Sequence, residues 1–129
     1  MSFNYDNAST ELFNSEVNKI PEPYRTKFIQ IVQASQQKLE DETYVGDAGA
    51  GLLKLTVDSK GNIKKLNIDK ALFEQNGNYE EFNNLVSDLT VVAHSNAIQC
   101  VKKAVDAELA KLYTTILEIT KDIVADSRG

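Results

Sequence analysis

The chain has 129 residues, which suits one domain with a core large enough to fold without a metal or a crosslink. With 42% apolar and 26% charged residues it is globular rather than disordered, and its single cysteine excludes an internal disulfide, as suits a reducing cytoplasm. The sequence shows neither a signal-peptide pattern nor a membrane-span pattern, so we expect a cytoplasmic protein without a membrane partner.

Two prolines, Pro21 and Pro23, divide the N-terminal part of the chain from the part that follows. We interpret residues 1–23 as an extension outside the core, in which a short helix would end at Pro21 and Pro23. A helix is then predicted from about Tyr24 to Asp41, because apolar residues recur at three- and four-residue spacing. The residues of this apolar seam are Phe28, Ile31, Val32, Ser35 and Leu39.

After the helix, the spacing of apolar residues changes from three and four to two, which predicts a small antiparallel sheet of three strands. The first strand covers Thr43–Val45, and a glycine-rich run, Gly46–Gly51, leads into the second. Along Leu52–Val57 apolar residues alternate with Lys54 and Thr56, the pattern of a strand with one buried face. Gly61 closes a hairpin turn into a third strand that ends at Asp69. Such a sheet needs a helix or a partner chain on its apolar face.

After an acidic, asparagine-rich segment at residues 71–78, a long helix is expected from near Tyr79 almost to Ser127. Its second half carries apolar residues at alternating spacings of four and three, which is typical of helices that wrap around each other. The seam predicts a partner, either the first helix or a second copy of the chain, and we favour the second copy. The seam residues are Val105, Leu109, Leu112, Ile116, Ile119 and Ile123.

Three segments at these spacings resemble the YbaB/EbfC family. The first, Val45–Val57, is similar to the family's glycine-rich entry and central strand, with Ala50 at a position where glycine is usual. The second, Lys60–Asp69, resembles its hairpin and closing strand, and the third, Leu85–Ala97, resembles its long helix. The resemblance covers about residues 28–112.

The resemblance implies an α+β fold with an N-terminal helix, a small three-stranded antiparallel sheet and a long C-terminal helix. We place this dimerisation and DNA-binding domain at residues 24–127. The resemblance further implies a tweezer-like homodimer that binds double-stranded DNA through its helices, in the nucleoid, without a catalytic site, cofactor or metal.

Basic residues on the two predicted helices are the candidate DNA contacts. They are Arg25, Lys27, Lys38, Lys102, Lys103 and Lys111. The net charge of −5 opposes this hypothesis, but the acidic residues are segregated. Residues 1–24 carry a net charge of −3 and residues 71–101 carry −4, so the remainder carries +2. At the hairpin, Lys60, Lys64 and Lys65 form an alternative basic contact surface.

Other candidate sites have simpler interpretations. The glycine-rich run lacks the Lys-Ser or Lys-Thr and the following helix of a phosphate loop, so a bulge or a close backbone contact at the centre of the dimer explains it better. His94 has no ligand at helical spacing, Cys100 is interpreted as a small core residue, and Glu80 and Glu81 as solvated.

Two alternatives to DNA binding stay open at this point. One is an acidic dimeric chaperone or adaptor that binds protein partners. The other is a regulator bound to a recombination or replication protein, with indirect DNA contact. Exposed basic helix surfaces would favour DNA, and exposed apolar ones would favour a protein partner.

Overall fold

The computed structural model describes residues 3, 5, 8–75 and 77–128. It contains helices α1 (Ala8–Asn18) and α2 (Tyr24–Glu40), strands β1 (Tyr44–Ala48), β2 (Leu53–Val57) and β3 (Ile63–Ile68), and helices α3 (Lys70–Gln75) and α4 (Tyr79–Arg128). Two compact units are formed: unit 1 holds residues 1–39 and 104–129, and unit 2 holds residues 40–103. The predicted α+β class, the element order and the long final helix are confirmed.

The sheet of unit 2 is an antiparallel meander in the order β1-β2-β3. Buried and exposed residues alternate along β1 and β2, with Leu53, Leu55 and Val57 buried and Lys54 exposed, so the two predicted faces of β2 are confirmed. The first strand continues to Ala48, beyond the predicted end at Val45, because the glycine-rich run pairs in register with β2 as far as Ala48 and Leu53.

Three successive residues with positive φ make the turn between β1 and β2. Gly49, Ala50 and Gly51 have φ of 64°, 56° and 87°. Ala50 therefore holds a left-handed conformation that costs an L-residue with a side chain about 1 kcal/mol. The hairpin predicted at Gly61 is confirmed, with φ of 86°.

Helix α4 covers the apolar face of β1 and β2 with small residues. Ala93 and Ala97 are fully buried, and a methyl group added to Gly46 would overlap the carbonyl oxygen of Ala93 and the backbone nitrogen of Ala97. The predicted close backbone contact at the glycine-rich run is therefore present at Gly46. It is made with a helix of the same chain, and a contact at the centre of a dimer stays a prediction.

Strand β3 is the uncovered edge of the sheet. Its apolar side chains Ile63, Leu66 and Ile68 are 57%, 43% and 40% exposed, although they lie on the same face as the buried residues of β2. Within the described residues no strand pairs with the outer edge of β3. This edge presents apolar side chains and free backbone hydrogen-bonding groups together.

Helix α3 forms much of the acidic, asparagine-rich segment at residues 71–78, for which the sequence pattern predicted no helix. The Asp69 carboxylate accepts a hydrogen bond from the backbone N–H of Ala71 at 2.8 Å, which caps the helix start. Leu72 is fully buried and anchors the helix. The sequence signal for this helix is Asp69 followed, three positions later, by the apolar residue Leu72.

Unit 1 is built from α1, α2 and the C-terminal part of α4. Phe13 of α1 is fully buried, and its ring lies 5.9 Å from that of Phe28 and 5.4 Å from that of Tyr113. For the described residues, the interpretation of residues 1–23 as lying outside the core is therefore wrong, because α1 supplies a central aromatic side chain. The domain boundary at residue 24 stays a prediction.

The seam of α4 is covered at its start by the chain's own helices. Val105, Leu109 and Leu112 are buried, while Ile116, Ile119 and Ile123 are half-buried. Of the two partners that the seam predicted, the described structure supplies the helix from Tyr24, α2, along the buried start of the seam, and a second copy stays a prediction. On α2, Ile31 was assigned to the core but is 44% exposed.

Across the part of the chain that the structure describes, no helix combines the length and the apolar character that a membrane crossing requires.

Candidate nucleic-acid interface

The basic residues at the start of α2 differ in their surroundings. Arg25 donates from Nε to Glu22 Oε1 at 3.1 Å. Hydrogen bonds from Thr26 and from Arg25 lower the pKa of Glu22, so this carboxylate is ionised near neutral pH and offsets the Arg25 charge. Lys27 is exposed and has no ion pair within the described residues. Of these two cations, only Lys27 presents an uncompensated charge.

In unit 1, Glu108 lies close to two further candidate DNA contacts, Lys38 and Lys111. Its Oε1 accepts a hydrogen bond from Ser35 at 2.9 Å, and its Oε2 lies 3.4 Å from Lys38 Nζ and 3.6 Å from Lys111 Nζ. The Glu108 side chain is only 12% exposed. Burial alone would raise its pKa, but the Ser35 hydrogen bond and the two lysines outweigh burial and lower it. One carboxylate is thus shared by two lysines.

Lys102 and Lys103 lie on α4 within unit 2. Both side chains are exposed, and the described residues offer neither of them an ion pair. Exposed, uncompensated ammonium groups on a helix are suited to displacing counterions from a phosphate backbone. Lys27, Lys102 and Lys103 are therefore the strongest of the six predicted contacts.

Comparison with known proteins agrees with these features. A sequence model of the YbaB/EbfC DNA-binding family matches residues 26–116. The chain belongs to the YbaB/EbfC DNA-binding family. All the predicted contacts except Arg25 lie within the matched residues.

Several known proteins are similar to parts of the chain. A nucleoid-associated protein of Beijerinckia indica subsp. indica is 39% identical over 66 residues, which cover 51% of this chain and 60% of that protein. A nucleoid-associated protein of Rhizobium meliloti is 32% identical over 95 residues, covering 70% of this chain and 83% of the relative. An uncharacterized protein of Helicobacter pylori has a crystal structure that matches with a TM-score of 0.45 and 17% identity, over 65% of this chain and 87% of that one.

The two carboxylates that pair with candidate DNA-binding cations, those of Glu22 and Glu108, were not identified from the sequence. Glu108 and Lys111 are three positions apart on α4, a spacing that signals neighbours on one helix face. Glu22, in the turn before α2, is likewise three positions from Arg25. The approach of Lys38 to Glu108 joins residues 70 positions apart and has no such signal.

The remaining candidates, His94 and Cys100, make separate contacts in the described part of the chain. His94 is half-buried, with Nε2 3.5 Å from the carbonyl oxygen of Gly61. Cys100 is exposed, so its interpretation as a core residue is wrong: its Sγ lies at the edge of β1, 3.7 Å from the carbonyl oxygen of Val45. Within the described residues, no three metal-ligating side chains form a cluster.

The Glu108 cluster leads to a pH-dependent prediction. Since the pKa of Glu108 is lower in the folded protein, its contribution to stability is present above the unfolded-state pKa and is lost as the pH falls through the folded-state value. We expect Glu108→Gln to lower the free energy of unfolding by about 1 kcal/mol at pH 7, and by much less at pH about 3. Urea denaturation at both pH values measures this difference.

Glu118→Gln is the matched control, since it removes the same charge from an exposed side chain without an ion pair within the described residues. Equal destabilisation by Glu108→Gln at both pH values would contradict the role of the ionised carboxylate.

Proposed function

We propose that the chain binds double-stranded DNA as a bacterial nucleoid-associated homodimer, with low or modest sequence specificity. The observation that carries this proposal is the exposure of Lys27, Lys102 and Lys103, without ion pairs within the described residues, inside the family-matched residues 26–116. Ammonium groups that meet phosphates position a duplex without reading its bases, which is why specificity is expected to be low. The relatives from Beijerinckia indica and Rhizobium meliloti are nucleoid-associated proteins, and this supports a location in the nucleoid.

The net charge of −5 sets a condition on this proposal. DNA must meet the basic surfaces and avoid the acidic start of α4, where Glu80 and Glu81 are exposed. Because the contacts are few and exposed, binding should be weak at physiological salt and should fall steeply as salt rises.

The outer edge of β3 supports the homodimer. Partly exposed Ile63, Leu66 and Ile68, on an edge strand without a partner in the described residues, form a surface that a second copy could cover by continuing the sheet. Light scattering at micromolar concentration is expected to give the mass of a dimer. A monomeric mass would overturn this part of the proposal.

A mobility-shift series tests DNA binding. The variant Lys102→Glu/Lys103→Glu is expected to bind a duplex about tenfold more weakly at low salt, and to flatten the slope of log affinity against log salt by about two per protomer. The control Lys19→Glu/Lys121→Glu changes the charge equally, at exposed lysines outside residues 26–116. It should retain most of the affinity.

Two results would count against the proposal. If the wild-type protein gives no shift even at low salt, DNA binding itself is overturned, and a protein partner such as a recombination or replication protein takes its place. If both double variants weaken binding equally, only net charge matters, and Lys102 and Lys103 are not contacts.

A further inference from the structure

One face of the sheet in unit 2 is left open by α4. Because side chains alternate along a strand, residues opposite the buried set share this second face. The register places Val45, Thr56 and Lys65 in one row across the strands, and Asp47, Lys54 and Asn67 in the next. We call these six residues the open sheet face. Five of them are exposed and Thr56 is half-buried.

The stretch that forms much of this face is one of the basic parts of the chain. Residues 52–70 contain five lysines and two aspartates, a net charge of +3 in a chain of −5. The sequence of α4, in contrast, contains five basic and eight acidic residues, a net charge of −3. A polyanion therefore meets less repulsion at the open sheet face than along the long helix as a whole.

The two aspartates of this stretch are already engaged. Asp58 accepts hydrogen bonds from the backbone N–H groups of Lys60 and Asn62 and lies 3.7 Å from Lys64 Nζ. Burial opposes its ionisation, but these hydrogen bonds and Lys64 lower the pKa of Asp58, which is thus a carboxylate tied to the turn. The second aspartate, Asp69, caps α3.

Lys54, Lys60 and Lys65 lie outside the salt bridges of the described sheet, and Asp47, opposite Lys54, is the one carboxylate among the six residues of the open sheet face. None of the three has an ion pair within the described residues, including Lys54, whose cross-strand neighbour is Asp47. Lys54 and Lys65 are diagonal neighbours in the register, so their side chains start about 7–8 Å apart. Since one DNA strand carries a phosphate every ~3.4 Å of helix axis, two such ammonium groups can reach phosphates of the same strand.

A polar depression of about 380 Å³ adjoins the open sheet face. Its lining includes Lys54 and Asn67 of the face, with Lys70 beyond them. Lys54 extends over Gly51, where an added methyl group would lie 3.9 Å from its Cε. Besides the Asp69 carboxylate, which caps α3, the depression gathers the ammonium groups of Lys54 and Lys70 and the amide of Asn67, which are hydrogen-bond donors suited to phosphodiester oxygens.

We propose that the open sheet face, with the adjoining depression, is a second phosphate-binding surface of this protein and contacts the backbone of duplex DNA through Lys54 and Lys65. This inference rests on the proposed function and adds a surface formed by the sheet to the one formed by the helices. Thr56 and Asn67 supply neutral donors between the two lysines.

Matched double variants separate the two surfaces. Lys54→Gln/Lys65→Gln and Lys102→Gln/Lys103→Gln remove the same charge from the sheet and from α4, and Lys19→Gln/Lys121→Gln is the control. In fluorescence anisotropy with a labelled duplex, the sheet variant is expected to bind several-fold more weakly than the control and to flatten the salt slope by about two per protomer. Circular dichroism and light scattering establish that fold and mass are unchanged.

Lysine acetylation of the wild-type protein gives a readout without mutation. Bound duplex should slow the acetylation of Lys54 and Lys65 by several-fold relative to Lys19, as measured by mass spectrometry. If the sheet variant loses its fold, this protection experiment and the turn variant Lys60→Gln/Lys65→Gln decide the matter.

The outcomes distinguish this inference from the proposed function. If the wild-type protein binds DNA and the sheet variant matches the control in affinity and slope, the sheet surface is overturned while DNA binding stands. Unchanged acetylation of Lys54 and Lys65 in the complex would have the same meaning. If the wild-type protein does not bind DNA, both proposals fall.

Discussion

Gly46→Ala is expected to lower the free energy of unfolding by about 3 kcal/mol. The added methyl group would overlap the carbonyl oxygen of Ala93 and the backbone nitrogen of Ala97, and it would lie 2.9 Å from the Cα of Ala97. These are backbone atoms of α4, so no change of side-chain rotamer can relieve the overlap. The helix must move away from β1, which opens the core of unit 2 beside Leu55.

Urea denaturation followed by circular dichroism measures the loss in Gly46→Ala, and hydrogen exchange of the β1 amides localises it to the sheet. Gly77→Ala is the control, since a methyl group there would meet no atom within 4 Å. Equal stability of the two variants would show that α4 does not approach β1 as closely as the structure places it.

Phe13→Ala is expected to cost about 3–5 kcal/mol, the usual range for removing a buried phenylalanine side chain. The ring is fully buried, and three other aromatic rings have their centroids within 6 Å of it. They belong to Phe3, Phe28 and Tyr113. Removal of Phe13 therefore leaves a cavity between α1, α2 and the C-terminal part of α4, which cannot close without moving a helix.

The adjacent Leu12→Ala is the control for Phe13→Ala, because Leu12 is 60% exposed on the same helix. Its expected cost is below about 1 kcal/mol. Thermal and urea unfolding compare the two variants. If Phe13→Ala is as mild as Leu12→Ala, α1 does not contribute to the core, and the interpretation of residues 1–23 as an external extension is restored.

The candidate interface could be predicted in part. The helical period separated Lys27, Lys102 and Lys103 from the apolar residues of their helices, and all three are exposed. Whether a lysine keeps its charge uncompensated depends on residues outside its own helix turn. Lys38 meets Glu108 only because two distant segments pack together, and no local pattern contains that contact.

The two faces of the sheet could likewise be predicted from the sequence only in part. The period-two pattern of β2 was enough to assign Lys54 and Thr56 to the face opposite Leu55. Their partners across the sheet, Asn67 and Lys65, follow from a register that includes an irregularity between Thr56 and Val57. A shift of one residue would exchange the two faces of β3, so the open sheet face could not be derived from the sequence pattern alone.

The sequence by itself determined the α+β class, the order of the main elements and the exposed positions on the helices, because these depend on local periodicity and turn chemistry. Family membership likewise follows from the sequence matched over residues 26–116. The tertiary structure decided that Phe13 is a core residue, that α4 rather than a second copy covers Gly46, and that Ile63, Leu66 and Ile68 stay partly exposed. Burial and charge compensation arise from contacts between residues far apart in the chain, and only the folded arrangement specifies those contacts.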